Sequence, residues 1–212
     1  MKVALLILIL SLIQGCATSN ISKDFKLQPN SGKGLVFGTI TTDKKRGGHN
    51  VVALFYIKSV NGNSHYFESR QEAIPGLSLE PSEFEDVNGR LFATALSPGI
   101  YTLDYWQLTQ GSLFLRPKGS PPPLEFEVVE GEVVYLGNWH VNFTVGNWFL
   151  TRAMNDAVPE IRDYFERDLD RFVNSYPQFK GKEVLKKIPM LGIWSNQSTE
   201  REANVPAPTT IE

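Results

Sequence analysis

The chain has 212 residues, of which 42% are hydrophobic and 21% charged, with a net charge of −2. That length holds one domain of ordinary size with extensions, and the apolar share predicts a folded core. The near-neutral balance excludes the basic bias expected of a nucleic-acid partner, and a lone cysteine, Cys16, excludes an intrachain disulfide.

The chain opens with Lys2, an apolar run from residue 3 to residue 13 broken only by Ser11, and then Gln14, Gly15 and Cys16. A basic start, a short apolar run and small residues predict an export signal over residues 1–15. The run is shorter than the roughly 20 residues a membrane-spanning helix needs. Ile13-Gln14-Gly15-Cys16 resembles the lipobox of bacterial lipoproteins. That resemblance implies cleavage before Cys16 and transfer of a diacylglyceryl group to its sulfur, for which the thiolate is the competent nucleophile. Each buried methylene contributes about 0.8 kcal/mol, and two or three acyl chains give stable attachment where one does not. In the lipoprotein sorting pattern that this resembles, Ala17 in place of Asp implies the outer membrane, facing the periplasm or the cell surface. The competing reading is an ordinary signal peptide with a cysteine near its end. The mature chain keeps 197 residues and, without Lys2, a net charge of −3.

Residues 16–33 are polar and predict a flexible tether that lifts the domain off the membrane. Residues 34–155 carry the punctuation of short strands between turns, which predicts a mainly β, antiparallel sandwich. Strands are expected over 34–41, 51–60 and 64–69, the last two joined by an Asn61-Gly62 hairpin turn. Residues 71–89 read as a loop. Strands 91–96 and 100–108 flank Ser97-Pro98-Gly99, with Tyr101, Leu103 and Tyr105 on one face. Residues 111–123 read as a second loop. Strands 124–129 and 132–143 flank Glu130-Gly131, and Gly146-Asn147 turns into a strand over 148–154. Lys44, Lys45 and Arg46 precede Gly47 and Gly48 and read as a loop tip.

Residues 156–194 form the predicted helical extension. Val158, Ile161, Phe165, Leu169, Phe172 and Val173 recur at three and four, which is one stripe of a helix over about 156–175. Pro159 suits its first turn, and Tyr176-Pro177 ends it. Such a stripe predicts a C-terminal amphipathic helix docked on the sandwich. A short second helix is expected over 182–188. Residues 195–212 are polar and read as a disordered tail.

Ser97-Pro98-Gly99-Ile100-Tyr101-Thr102-Leu103 is similar to the turn and strand of transthyretin-like, carboxypeptidase-regulatory-like domains. The hairpin sequence from Phe126 to Gly137 resembles that of uncharacterised bacterial envelope lipoproteins built on such domains. The resemblance implies a prealbumin-like sandwich and a non-catalytic role, either structural or partner-binding. It implies no cofactor.

The chemistry-bearing residues are sparse. His49, His65 and His140 show no short metal-ligand spacing, so no metal is expected. No serine lies in a Gly-x-Ser-x-Gly elbow, which leaves only a hydrolase with dispersed residues as an enzymatic alternative. Glu83, Glu85 and Asp86 read as a solvated loop. Glu166, Asp168 and Asp170 alternate with Arg167 and Arg171 and read as the outer, salt-bridged helix face. The aromatics stand out: Trp106, Trp139, Trp148, Trp194, Tyr56, Tyr66, Tyr105 and Tyr135. In the adjacent pairs Tyr105/Trp106 and Trp139/His140, one member must leave the sandwich core. Those four residues form the candidate binding surface, for an envelope protein or a cell-wall glycan. The membrane is the other expected partner, through Cys16.

Overall fold

A computed structural model describes residues 20–46, 50–70, 72–74, 78–148, 151–194 and 199–203. The signal segment, Cys16 and His49 lie outside the described residues. In chain order the strands are β1 (Gly34–Asp43), β2 (Val51–Ser59), β3 (Ser64–Glu68), β4 (Glu72–Ile74), β5 (Ser78–Leu79), β6 (Val87–Leu96), β7 (Gly99–Gln110), β8 (Leu113–Pro117) and β9 (Leu124–Val128). They continue with β10 (Val133–Trp148), β11 (Thr151–Arg162), the helix α1 (Phe165–Ser175), β12 (Leu185–Lys186), β13 (Gly192–Ile193) and β14 (Thr199–Ala203).

Two sheets face each other. The first runs β13-β11-β10-β1-β6 with β12 beside β10, and the second runs β14-β8-β7-β2-β3 with β9 beside β7. β4 and β5 make a separate two-stranded ribbon. The predicted mainly β sandwich is therefore present, but the first sheet is mixed, because β1 and β10 pair in parallel. Parallel neighbours need a long crossover, and here most of the second sheet lies between them in sequence.

The inter-sheet core follows the pleat. Val36 and Ile40 of β1, Phe55 and Ile57 of β2, Trp106 and Leu108 of β7, and Trp139 and Val141 of β10 are buried between the sheets. Trp194 closes one end of this core and donates its indole N–H to the Pro122 carbonyl at 2.7 Å. A second core covers the outer face of the first sheet. There Leu35, Phe37, Val133 and Tyr135 meet Phe172, Tyr176 and Phe179 from α1 and the turn after it. The Phe37 and Phe172 rings stack at 4.1 Å. The helix thus docks its apolar stripe on the sandwich, as its pattern predicts.

Several expectations need correction. The helix starts at Phe165, and residues 156–162, expected to be its first turns, instead extend the strand expected over 148–154 into β11. Val158 and Ile161 fit a helical spacing, but Ala157, Pro159 and Ile161 alternate toward the core opposite Phe143, Val141 and Trp139. Pro159 is tolerated there because the N and C=O of one strand residue point the same way: its carbonyl accepts from the Trp194 backbone N–H, so the missing donor faces away from β10 and costs that ladder no bond. Gly146-Asn147 is no turn, since both residues pair within the β10–β11 ladder. The segments read as loops hold β4, β5 and β8, and Leu115 of β8 is fully buried. Residues 185–186 form a strand and not a second helix. The tail read as disordered contributes β14, which pairs with β8.

Asn61-Gly62 is the predicted hairpin turn between β2 and β3. Pro98-Gly99 and Glu130-Gly131 do turn the chain, but between sheets: β6 and β10 belong to the first, β7 and β9 to the second. A tight turn fixes the local reversal and leaves the ladder partner open.

The tether is shorter than predicted. Asn20 and Ile21 lie along the free edge of β6, where Ile21 N–H donates to Ala93 O at 2.8 Å. Phe25 and Leu27 join the core under α1, with Leu27 buried. Residues 20–27, read as part of a flexible tether, are thus held in the folded body.

Candidate functional site

The adjacent aromatic pairs resolve clearly. Trp106 and Trp139 are core residues with 1% and 0% exposure, so neither offers a binding platform. Tyr105 does face out. The β2–β7 register slips between Tyr56 and Ile57, which face Tyr105 and Leu103, so Asp104 forms a bulge. That extra residue separates Tyr105 from Tyr101 and Leu103, the face predicted for it, and turns it to the outer face of the second sheet. His140 also leaves the inter-sheet core, but it is buried at 1% exposure on the other side of the first sheet.

On the outer face of the second sheet Tyr105 has company. Tyr66 of β3, Tyr56 of β2 and Tyr105 of β7 stand in register across three neighbouring strands. Tyr56 lies 5.9 Å from Tyr66 and 5.5 Å from Tyr105 between ring centroids. All three are half-buried. Burial and the two neighbouring tyrosines raise the Tyr56 hydroxyl's pKa, so it stays protonated and able to donate. Leu54 and Gln107 continue the face at one end, and Lys58 and Thr102 at the other. The arrangement offers ring faces for stacking beside polar groups that donate and accept. Period-2 alternation within β2 and β3 signals Tyr56 and Tyr66 as outward-facing residues. The bulge that adds Tyr105 has no such signal.

The first sheet carries a polar seam on its outer face, beyond the apolar patch under α1. A bulge at Gly137, whose φ is +98°, shifts the β1–β10 register, so that Thr39 pairs with Asn138 and Thr41 with His140. The Asn138 amide donates to the Thr39 and Thr41 hydroxyls at 2.8 and 3.0 Å. Thr41 Oγ1 also lies 2.7 Å from His140 Nδ1. His140 Nε2 stands 3.4 Å from Asp43 Oδ1, an approach not aligned as a hydrogen bond. Burial, reinforced by the nearby Arg162 charge, pulls the His140 pKa down to about 4, leaving the ring neutral at pH 7. Burial alone would raise Asp43. The Lys45 ammonium and the Phe143 amide outweigh it and hold the carboxyl below its usual range.

The seam continues to α1. Asp168 has no exposed surface, against its predicted place on the outer helix face. Its carboxylate accepts from Tyr135 at 2.7 Å, Thr39 at 2.8 Å and Arg167 at 2.8 Å. Burial raises its pKa, and these partners oppose the rise. Glu83, read as part of a solvated loop, caps the β6 edge by accepting from Leu91 N–H at 3.1 Å. Phe84 beside it is buried beneath the Arg167 and Arg171 guanidiniums, each about 4.6 Å from its ring.

The order Asp43, His140, Thr41 has the residue types of a hydrolytic triad. Its hydroxyl is buried at 1% exposure and already engaged by Asn138, so it presents no nucleophile to a surface substrate. Apart from His140 Nε2, the seam's polar side chains pair with one another, which is the geometry of a structural network. Among the described residues, no three His, Cys, Asp or Glu side chains gather as metal ligands, and no helix is long and apolar enough to cross a membrane. Comparison with protein-family models, curated proteins and solved structures found no match.

Proposed function

We propose that this chain is a lipid-anchored bacterial envelope protein, held at the outer membrane through Cys16, whose non-catalytic β-sandwich binds a partner. The lipobox-like Ile13-Gln14-Gly15-Cys16 supports the anchor. The observation that carries the binding role is the Tyr66–Tyr56–Tyr105 row, half-exposed on the sheet opposite the one that α1 covers. The sandwich is read further as prealbumin-like. In the turn that resembles those domains, the Tyr101 hydroxyl donates back to Ser97 O at 3.0 Å and locks the corner. Fold likeness of this kind carries no activity.

A second reading gives the tyrosine face a cell-wall glycan as its ligand, with ring faces against sugar C–H groups. Both readings are tested with the soluble Cys16→Ser chain, incubated with purified peptidoglycan and, separately, crosslinked in isolated envelopes. Tyr56→Ala and Tyr105→Ala should lower capture severalfold without lowering Tm by more than a few degrees. A loss of peptidoglycan sedimentation selects the glycan reading, and a loss of one discrete crosslinked band selects a protein partner. Capture unchanged in both assays contradicts the binding role of this face.

A further inference from the structure

We infer that the anchored sandwich rests with its β6 edge against the bilayer surface, within about 14 Å of its lipid, and does not float on a long tether. The inference depends on lipidation at Cys16 as proposed above. It is carried by the way residues 20–27 are fixed to the domain. The Asn20 side chain donates to Leu91 O at 3.2 Å and accepts from Ala93 N–H at 2.9 Å, while Ile21 N–H donates to Ala93 O at 2.8 Å. These bonds cap the open side of β6 at Leu91 and Ala93. Further along, the Gln178 amide donates to the Lys23 and Phe25 carbonyls, both at 3.0 Å, and Leu27 is buried. The segment is therefore part of the folded body.

Only four peptide steps separate Cys16 from Asn20. At about 3.3–3.6 Å per residue, a fully extended chain spans at most ~14 Å. A flexible tether over all of residues 16–33 would have left the orientation free. Fixed at Asn20, the membrane-proximal surface is the β6 edge, and the exposed Lys23, Asp24 and Lys26 follow Asn20 in the chain. The opposite edge of the first sheet, β13, lies four strand spacings away, about 19 Å. Leu191, the residue before β13, is exposed. The tyrosine row sits on the second sheet, the one that does not carry the tether.

Fluorescence quenching on the full-length, lipidated protein tests this. Cys16 is the only cysteine, so once it is acylated a new cysteine is the single labelling site. Lys23→Cys and Leu191→Cys are labelled with one small fluorophore, after intact mass confirms the acyl groups, and placed in vesicles whose headgroups carry nitroxide. The label at residue 23 should be quenched severalfold more than that at residue 191. Inserting about 20 Gly/Ser residues before Asn20, a linker reaching ~25 Å, should erase most of the difference. Equal weak quenching at both sites in protein that carries its acyl mass overturns the orientation alone. Absence of the acyl mass overturns both this inference and the proposed anchor.

Discussion

The Tyr135 hydroxyl donates at 2.7 Å to a carboxylate oxygen of Asp168 that has no exposed surface. The bond joins β10 to the first turn of α1, and Thr39 and Arg167 complete the carboxylate's shell. A hydrogen bond to a charged group contributes about 1.5–3 kcal/mol, and a buried charge left short of donors costs more than a neutral group does. Tyr135→Phe should therefore destabilise by about 2 kcal/mol in urea denaturation. A double-mutant cycle with Asp168→Asn should return a coupling of about 1 kcal/mol or more. Additive effects would show that the helix is held by its apolar stripe alone.

The stripe itself gives a graded prediction. Phe172 is fully buried and stacked on Phe37, whereas Phe165 is half-buried. Phe172→Ala should cost about 3–5 kcal/mol, the range for large core truncations. Phe165→Ala should cost clearly less. Equal costs, or intact stability with rapid proteolysis inside the helix, would mean that α1 is not docked in solution.

His140 sets a pH dependence. Its folded pKa of about 4 lies below the ordinary 6.5, so the unfolded chain binds more protons between those values. The neutral, buried ring contributes its full stability above pH 6.5 and loses it as the pH falls through the folded value. At 1.36 kcal/mol per unit the loss is about 3 kcal/mol. Asp43 and Glu160, both held below their ordinary values, also lose stability on acidification, but below about pH 4.5. Asp168, raised by burial, acts in the opposite sense. Stability curves of the parent and His140→Gln between pH 7 and pH 4.5 should converge as the pH falls. Parallel curves would show that His140 titrates normally.

The aromatic residues separate into two classes. Trp106→Ala and Trp139→Ala remove core side chains and should cost about 3–5 kcal/mol each, read as loss of the folded baseline. Tyr56→Ala and Tyr66→Ala, on the half-exposed face, should cost about 1 kcal/mol or less. A tolerated Trp139→Ala would contradict its place between the sheets.

Much of the sandwich is legible in the sequence because alternation and turn residues are local signals. β1, β2, β3 and β7 fall where the pattern puts them, and β6 begins four residues earlier, inside the segment read as a loop. Sheet membership is not local: Pro98-Gly99 turns the chain equally well into a partner strand or across the sandwich. The second half of Thr151–Arg162 is misread because Val158 and Ile161 continue the three-and-four spacing of α1, while the strand's own alternating face, Ala157, Pro159 and Ile161, holds a small residue and a proline that give a weak period-2 signal. The candidate face is half legible. The rule that one of Tyr105 and Trp106 must face out is correct. Which one does so depends on a bulge at Asp104, a residue with no turn signature. The seam had an unused signal, because Thr39, Thr41, Asn138 and His140 alternate with apolar residues in two otherwise buried strands.

The anchor at Cys16 is tested most directly by growing cells with an alkyne fatty acid, expressing the full chain and its Cys16→Ser variant, and measuring label and N-terminal mass. The parent should carry label in the membrane fraction and begin at an acylated Cys16, and the variant should carry none. Equal label on both, or a parent chain that begins elsewhere and carries no acyl mass, would contradict the lipid-anchored account.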